Sequence, residues 1–347
     1  MDGRIVEPGR VSWLRCRSFL PFWLGSLSPT SCFTLPRGRQ AYIAGIMASS
    51  DEVRDPAPDP VKIKLSPVEQ TMIMTLWLRA REAASPNPVV GDIHAQKILD
   101  RVDTDSLNPA MFPSDRRYDE FLNVRTKQLD EWCREFLEAH ANEPVTVLHL
   151  ACGLDLRAMR LQPSCGENVR WIDLDRPEVA NLRRRLIPDP FSIETEGREW
   201  DYRLIGASVN DNGWTEEIPQ DRPLLVIAEG LFVYLAPEEA AALLQRLVER
   251  VPSGRLVMDA VGTIITRYQS LVPIYRGSNV QLKWGVDNGE EVARAHPRLS
   301  LAETVMFTDL LPGMFGSGAP PCFGVLTPLF SLLPSWRTYC QLLRLEF

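Results

Sequence analysis

From Val145 onward the chain alternates short apolar runs with amphipathic ones. "VTVLHL", "VRWIDL", "YRLIGA", "PLLVIAE" and "GRLVMDAV" are separated by stretches of helical periodicity, clearest in "APEEAAALLQRLVERV" with Pro237 near its start. A run of this length that is apolar at almost every position reads as a strand covered on both faces, and such strands alternating with helices build a parallel sheet between two helical layers. The chain therefore reads as α/β. Ligands of these sheets bind beyond the carboxyl ends of the strands, so the turns that follow the strands are where function is sought. A length of 347 residues with 45% hydrophobic side chains supplies the core for one large domain or two smaller ones.

Two helices are predicted ahead of the first strand. In "SPVEQTMIMTLWLRAREA", Ser66 is a natural N-cap, Pro67 suits the first helical position and Glu69 completes a capping box, with Val68, Met72, Leu76 and Trp77 on one face. The second, "DRRYDEFLNVRTKQLDEWCREFLEAH", places Phe121, Val124, Leu129, Trp132 and Phe136 at helical spacing before Pro144. Residues 1–64 read differently, as a leader and a proline-rich linker ("DPAPDPVK") preceding a domain over 65–347. The leader is Arg-rich, poor in acids and interrupted by Pro21, too short in its apolar run to span a bilayer. Its composition fits an organelle transit peptide, whereas Met47 followed by small and acidic residues fits an ordinary protein start.

Charge and cysteine usage exclude several classes. A net charge of −7 without a long basic run argues against a nucleic-acid partner. Seven scattered cysteines and four histidines at unrelated positions (His94, His140, His149, His296) suggest neither a disulfide framework nor a metal site, and point to reduced thiols in a cytoplasmic protein without a membrane anchor.

The turn after the first strand is "ACGLDLR". It lacks the three glycines of a dinucleotide fingerprint, and no Walker loop occurs in the chain. What remains is Gly153, which lets backbone approach a ligand, and acidic residues at the end of the second strand: Asp173, twenty residues on, and Asp175. An acid there holds a ribose diol. A ribose-bearing ligand without a phosphate, S-adenosylmethionine, suits this arrangement. Asp175 has a second reading, as the N-cap of "DRPEV" with Glu178 completing an Asp-x-x-Glu box, which would leave the ribose to Asp173.

Four motifs in order carry a family resemblance. "HLACGLDLRAMRL" resembles the "LGAGLDTRAFRL" signature of the leucine carboxyl methyltransferase family, and "WIDLDRPEV" its "FEIDHPEV" element. "NVRTKQLDEW" is similar to the family's upstream "RT..ID" helix and "LLVIAEGLFVYL" to its "AEG..MYL" strand end. The resemblance runs from about Leu65 through "LKWGVDNGEEVARAHPRLSLAETVMFTD" and is closer to the polyketide and small-molecule O-methyltransferases than to the enzyme acting on the protein phosphatase 2A tail. It implies a class I S-adenosylmethionine methyltransferase: a Rossmann-like seven-stranded sheet with helices on both faces and an N-terminal helical lid.

The resemblance also implies roles. Arg125 would pair with the methionine carboxylate, a task suited to a guanidinium fork. Gly153 would let the loop pass the cofactor, Asp173 or Asp175 would bind the ribose, and Glu229 would face cofactor and acceptor, with Tyr234 lining the acceptor site. Read from the residues alone, Cys152 is a small packing residue and Asp155 caps or braces the loop instead of touching ligand. Two positions depart from the family. Ala151 stands where the first glycine is usual, straining the turn if its φ is positive, and Ser208 with Val209 stands where an Asp-Leu pair is usual near the adenine. The implied reaction is methyl transfer to an oxygen, preferably a carboxylate, of a polyketide-like small molecule. A protein C-terminal carboxylate is the same-chemistry alternative, a tRNA base fits the acidic balance less well, and a cofactor-binding protein without turnover is the rival from another class. Nicotinamide dehydrogenation is disfavoured by the missing glycines. The composition break before Met47 yields a first prediction: a chain beginning at Met47 melts at the same temperature and has the same activity as the full chain, by calorimetric scanning and methyl-transfer assay.

Overall fold

The computed structural model describes residues 61, 66–103, 107, 112, 117–187, 200–271, 280–307, 309–310 and 338–347. The leader and the start at Met47 lie outside them. Val61, inside the expected linker, forms a parallel bridge with Val102.

Helix α1 (Pro67–Ala83) begins as its sequence dictates. Ser66 N donates to Glu69 Oε2 at 2.6 Å and Glu69 N to Ser66 Oγ at 3.4 Å, closing the capping box. Its buried face is broader than the expected stripe. Ile73, Leu76 and Ala80 enter the core, Met74 and Leu78 are also buried, while Met72 and Trp77 are half-buried. The reason is packing on several sides, since α1 lies against the short α2 (Ala95–Leu99) and the long α3 (Arg117–Ala139) and also roofs a cavity. Helix α3 buries Leu129, Trp132 and Phe136 as its periodicity requires.

The sheet contains β1 (Val145–Leu150), β2 (Val169–Asp175), β3 (Asp201–Gly206), β4 (Leu224–Ala228), β5 (Gly254–Val261), β6 (Ser300–Met306) and β7 (Cys340–Glu346), in the order β3-β2-β1-β4-β5-β7-β6. The first five are parallel, and β7 runs antiparallel to β5 and β6. Strand β1 is the switch point: it pairs β2 on one side and β4 on the other, and chain order reverses there. Helices α4 (Arg157–Leu161), α5 (Pro177–Leu186) and α6 (Pro237–Arg250) complete the layers.

Alternation divides each strand between two cores. Val145, Val147, Trp171, Leu225, Ile227 and Val257 face the layer that contains α1 and α3, whereas Leu148, Leu150, Ile172, Leu174, Val226 and Met258 face the layer that contains α6. The same period-two count places His149, Asp173, Asp175, Glu229 and Asp259 on the first face, at or near the carboxyl ends of the strands. An apolar core layer thus ends in a band of titratable groups beneath the N-terminal helices.

Candidate active site

A cavity of about 510 Å³ opens at the switch point. The turn from Ala151 to Asp155 forms its floor, the ends of β2 and β4 contribute Asp175 and Glu229, and α1 closes it with Met72, Thr75 and Arg79. Both small residues of the turn are left-handed: Gly153 has φ +53° and Ala151 φ +49°. Glycine takes that conformation freely, whereas alanine does so at about 1–2 kcal/mol. Space adds a second constraint at Gly153, because a Cβ there would lie 2.9 Å from Met72 Cγ.

Arg125 reaches the cavity from α3. Its Nε and Nη2 lie 3.0 and 2.9 Å from Glu229 Oε1, and its Nη1 donates to Asp259 Oδ2 at 2.9 Å. A guanidinium has five N–H donors. Nε and Nη1 form hydrogen bonds and Nη2 faces Glu229 as an ion pair, so N–H groups on the terminal nitrogens remain for a further acceptor. Thr126 Oγ1 also donates to Glu229 Oε1, and Arg157 donates to Glu229 Oε2. Arg157 is shared in turn with Asp130 at 2.7 Å, and Arg160 links Asp130 to Asp155 at 2.6 and 3.0 Å. Arg79 approaches Asp92 at 3.3 Å and Asp155 at 3.8 Å, tying α1 to the turn.

These pairs decide protonation. Burial alone would raise the Glu229 carboxyl, but Arg125 and Arg157 overcome it and hold it down at about 2. Burial also opposes the charge of Arg125, yet Asp259 and Glu229 keep it above its ordinary value. His149 Nε2 lies 3.3 Å from Arg157 Nη1 and its Nδ1 lies 3.3 Å from Asp173 Oδ1. A guanidinium only donates, so Nε2 is the acceptor in that contact.

The two acids of β2 have different places. Asp173 does not line the cavity: it is fully enclosed, with Arg183 Nη2 at 2.6 Å and Tyr202 OH at 2.8 Å on Oδ2 and Trp171 Nε1 at 2.8 Å on Oδ1. Asp173 stands opposite His149 in register, one pleat below the strand end; His149 still lines the cavity, and it is Arg183, Tyr202 and Trp171 that enclose Asp173. Asp175 is the acid at the cavity wall. Its Oδ2 accepts Gly153 N at 2.8 Å and its Oδ1 accepts Arg176 N at 2.7 Å. It is not the helix cap: Arg176 occupies that position without a side-chain bond, which puts Glu178 too early for the Asp-x-x-Glu box. Asp155 braces the turn through its arginines, and Cys152 is buried beneath it. Ser208 and Tyr234 line the cavity, and Ser208 Oγ accepts Asn210 N at 3.2 Å. Asp259, Arg157 and Lys283 were missed from sequence. Asp259 had the signal that exposed Glu229, an acid inside an apolar strand, and Arg157 lies within the family-like turn motif itself. Among the described residues, no group of three or more His, Cys, Asp or Glu side chains is arranged to hold a metal ion, and no helix is long and apolar enough to cross a membrane.

Residues 72–248 match the family model described as leucine carboxyl methyltransferase. The chain is 35% identical over 285 residues to the tetracenomycin polyketide synthesis O-methyltransferase TcmP of Streptomyces glaucescens, covering 82% of this chain and 98% of that one. It is 34% identical over 258 residues to the S-adenosyl-L-methionine-dependent methyltransferase dpfgK of Gibberella zeae, covering 71% of this chain and 84% of that one. The chain belongs to the leucine carboxyl methyltransferase family.

A leucine carboxyl methyltransferase of this kind uses S-adenosylmethionine, and the site fits that group. It offers a guanidinium with spare donors, an acid at the end of β2, a turn where a Cβ would press on Met72, and apolar wall residues Leu154, Val179 and Val209. The family's usual first glycine is Ala151 here, accommodated at positive φ.

The held-down Glu229 carboxyl has a measurable consequence. Its value of about 2 lies below the ordinary 4.5, so the stability it lends is fully present above pH 4.5 and drains away as pH falls toward 2. Urea unfolding of the parent and of Glu229→Gln should therefore differ by a constant amount from pH 8 to 5, and the gap should narrow by pH 3. A gap still changing between pH 5 and 8 would place the Glu229 proton in the working range.

Proposed function

We propose that this chain methylates a carboxylate oxygen on a polyketide-like small molecule. The observation that carries the reading is the engagement of the groups that would otherwise serve as bases. Glu229 accepts from Arg125, Thr126 and Arg157, and His149 presents its lone pair to Arg157. An acceptor that arrives ionised needs no base, and a carboxylic acid with a pKa near ~4 does so at neutral pH. Lys283 strengthens the case: it is exposed at the cavity edge, makes no ion pair among the described residues, and supplies a cation on the side of Tyr234. The similarity to an O-methyltransferase of polyketide synthesis supports the same class of acceptor.

In this reading Arg125 takes the methionine carboxylate on its spare N–H groups, and Glu229 and Asp259 hold the guanidinium in place. Asp175 faces the ribose, Gly153 and Ala151 bring the backbone close, and Ser208 borders the adenine. Tyr234 and Lys283 form the acceptor side. S-adenosylmethionine bound there supplies an electrophilic sulfonium methyl. The protein aligns the acceptor oxygen with it and excludes water, which accounts for catalysis without a general base. Glu229 is then a positioning residue rather than a proton acceptor.

Two experiments test this. Arg125→Ala removes the guanidinium and should weaken S-adenosylmethionine binding by roughly 1.5–3 kcal/mol in calorimetry; parent affinity would displace the cofactor from this site. With an aromatic hydroxy acid such as 1-hydroxy-2-naphthoic acid as acceptor, the product should be the base-labile methyl ester, at a rate nearly flat above pH 6. His94→Ala, His140→Ala, His149→Gln and His296→Ala should each keep most of kcat. A base-stable aryl methyl ether, or a ~10²-fold loss in one histidine variant, is the signature of general-base catalysis and would overturn the assignment.

A further inference from the structure

Below the glycine turn, on the side away from the cavity, a second buried ion pair acts on the backbone. Arg183 projects from α5 with 1% of its surface exposed. Its Nη1 donates to the carbonyl of Gly153 at 3.0 Å and to the carbonyl of Asp155 at 2.8 Å, and its Nη2 donates to Asp173 at 2.6 Å. Asp173 is itself aimed by Tyr202 of β3 and Trp171 of β2. Gly153 is thus gripped from both directions, its N–H by Asp175 and its carbonyl by Arg183. Those two bonds fix the peptide planes on either side of one Cα, and so fix the φ and ψ of a residue on the cavity floor. The turn has need of such a device, since Ala151 two residues earlier is left-handed and would relax if released.

We infer that Arg183 and Asp173 are positioning residues of the cofactor site: they touch no ligand, and they hold the 151–155 turn in its binding conformation through the carbonyls of Gly153 and Asp155. The fork geometry is essential to the role. Arg183 spans two carbonyls and a carboxylate at once, which a lysine ammonium, a point charge on a flexible stem, does not reproduce. Burial disfavours the charge on Arg183, but Asp173 outweighs it and keeps the pair ionised. The inference rests on the reading of this cavity as the S-adenosylmethionine site.

The test uses the full chain and S-adenosylhomocysteine as the probe, with affinity from calorimetry at a temperature well below each variant's melting point and deuterium uptake followed across residues 150–157. Arg183→Lys and Asp173→Asn should each weaken binding about tenfold or more and speed exchange in that segment. Leu186→Ala, a cavity variant on the same helix that leaves the turn alone, should lower the urea midpoint while affinity and exchange in 150–157 stay at parent values. A purely structural role predicts the Leu186→Ala pattern for all three, and that result would overturn the inference. Arg125→Ala and Asp175→Ala separate the two levels. If they bind like the parent, the site is misplaced; if they weaken binding and Arg183→Lys does not, the site stands and the positioning role falls. Should Arg183→Lys or Asp173→Asn fail to fold, Tyr202→Phe decides, since it removes one donor from Asp173 Oδ2. Faster exchange in 150–157 with weaker binding supports the role, and parent behaviour in both overturns it.

Discussion

A guanidinium taken out of water must find carboxylates, and on the cavity side of this protein that requirement joins elements far apart in the chain. Arg125 from α3, Arg157 and Arg160 from α4 and Arg79 from α1 converge on Asp130, Asp155, Glu229 and Asp259, which come from α3, the glycine turn and the ends of β4 and β5. Buried ion pairs of this kind return little net stability, because desolvation cancels much of the Coulombic gain. Their worth is in placement. With every carboxylate oxygen committed, no side chain in the band can rotate alone, and the cavity keeps its shape.

The same commitment determines the chemistry left open to the protein. A carboxylate pulled below its ordinary range by two arginines is a poor proton acceptor at neutral pH. Glu229 is held to carry charge rather than to move a proton. A reaction whose nucleophile is already ionised is matched to such a site, since alignment and exclusion of water are then what catalysis requires of the fold.

Strain at the turn is balanced by the pairs around it. Ala151 stays left-handed at a cost that glycine would not incur, and the neighbouring Gly153 is fixed by Asp175 from above and Arg183 from below. Met72, pressed over Gly153 from α1, leaves no room for a larger residue. The helical roof and the sheet therefore meet at the residue where the chain has the least side chain to offer.

Short-range pattern accounts for the five parallel strands, the capping box that starts α1, the glycine turn, and the motifs that place the chain in its family. All of these are local: period-two or helical patterns, a cap three residues from its partner, a glycine after a strand. Tertiary structure decided what each acid does. Asp173 and Asp175 are two residues apart on the same face of one strand, and no local pattern ranks them. Only the register with β1 and the arrival of Arg183 from α5 bury the first and leave the second at the cavity wall. Glu229 was legible as a residue at the cavity edge, since an acid ends an apolar strand, but its partners lie about a hundred positions upstream at Arg125 and seventy-two upstream at Arg157, beyond the reach of any spacing rule. The positive φ of Ala151 likewise follows from the close approach of turn, strand and helix, and not from the residue, which left alone would choose otherwise.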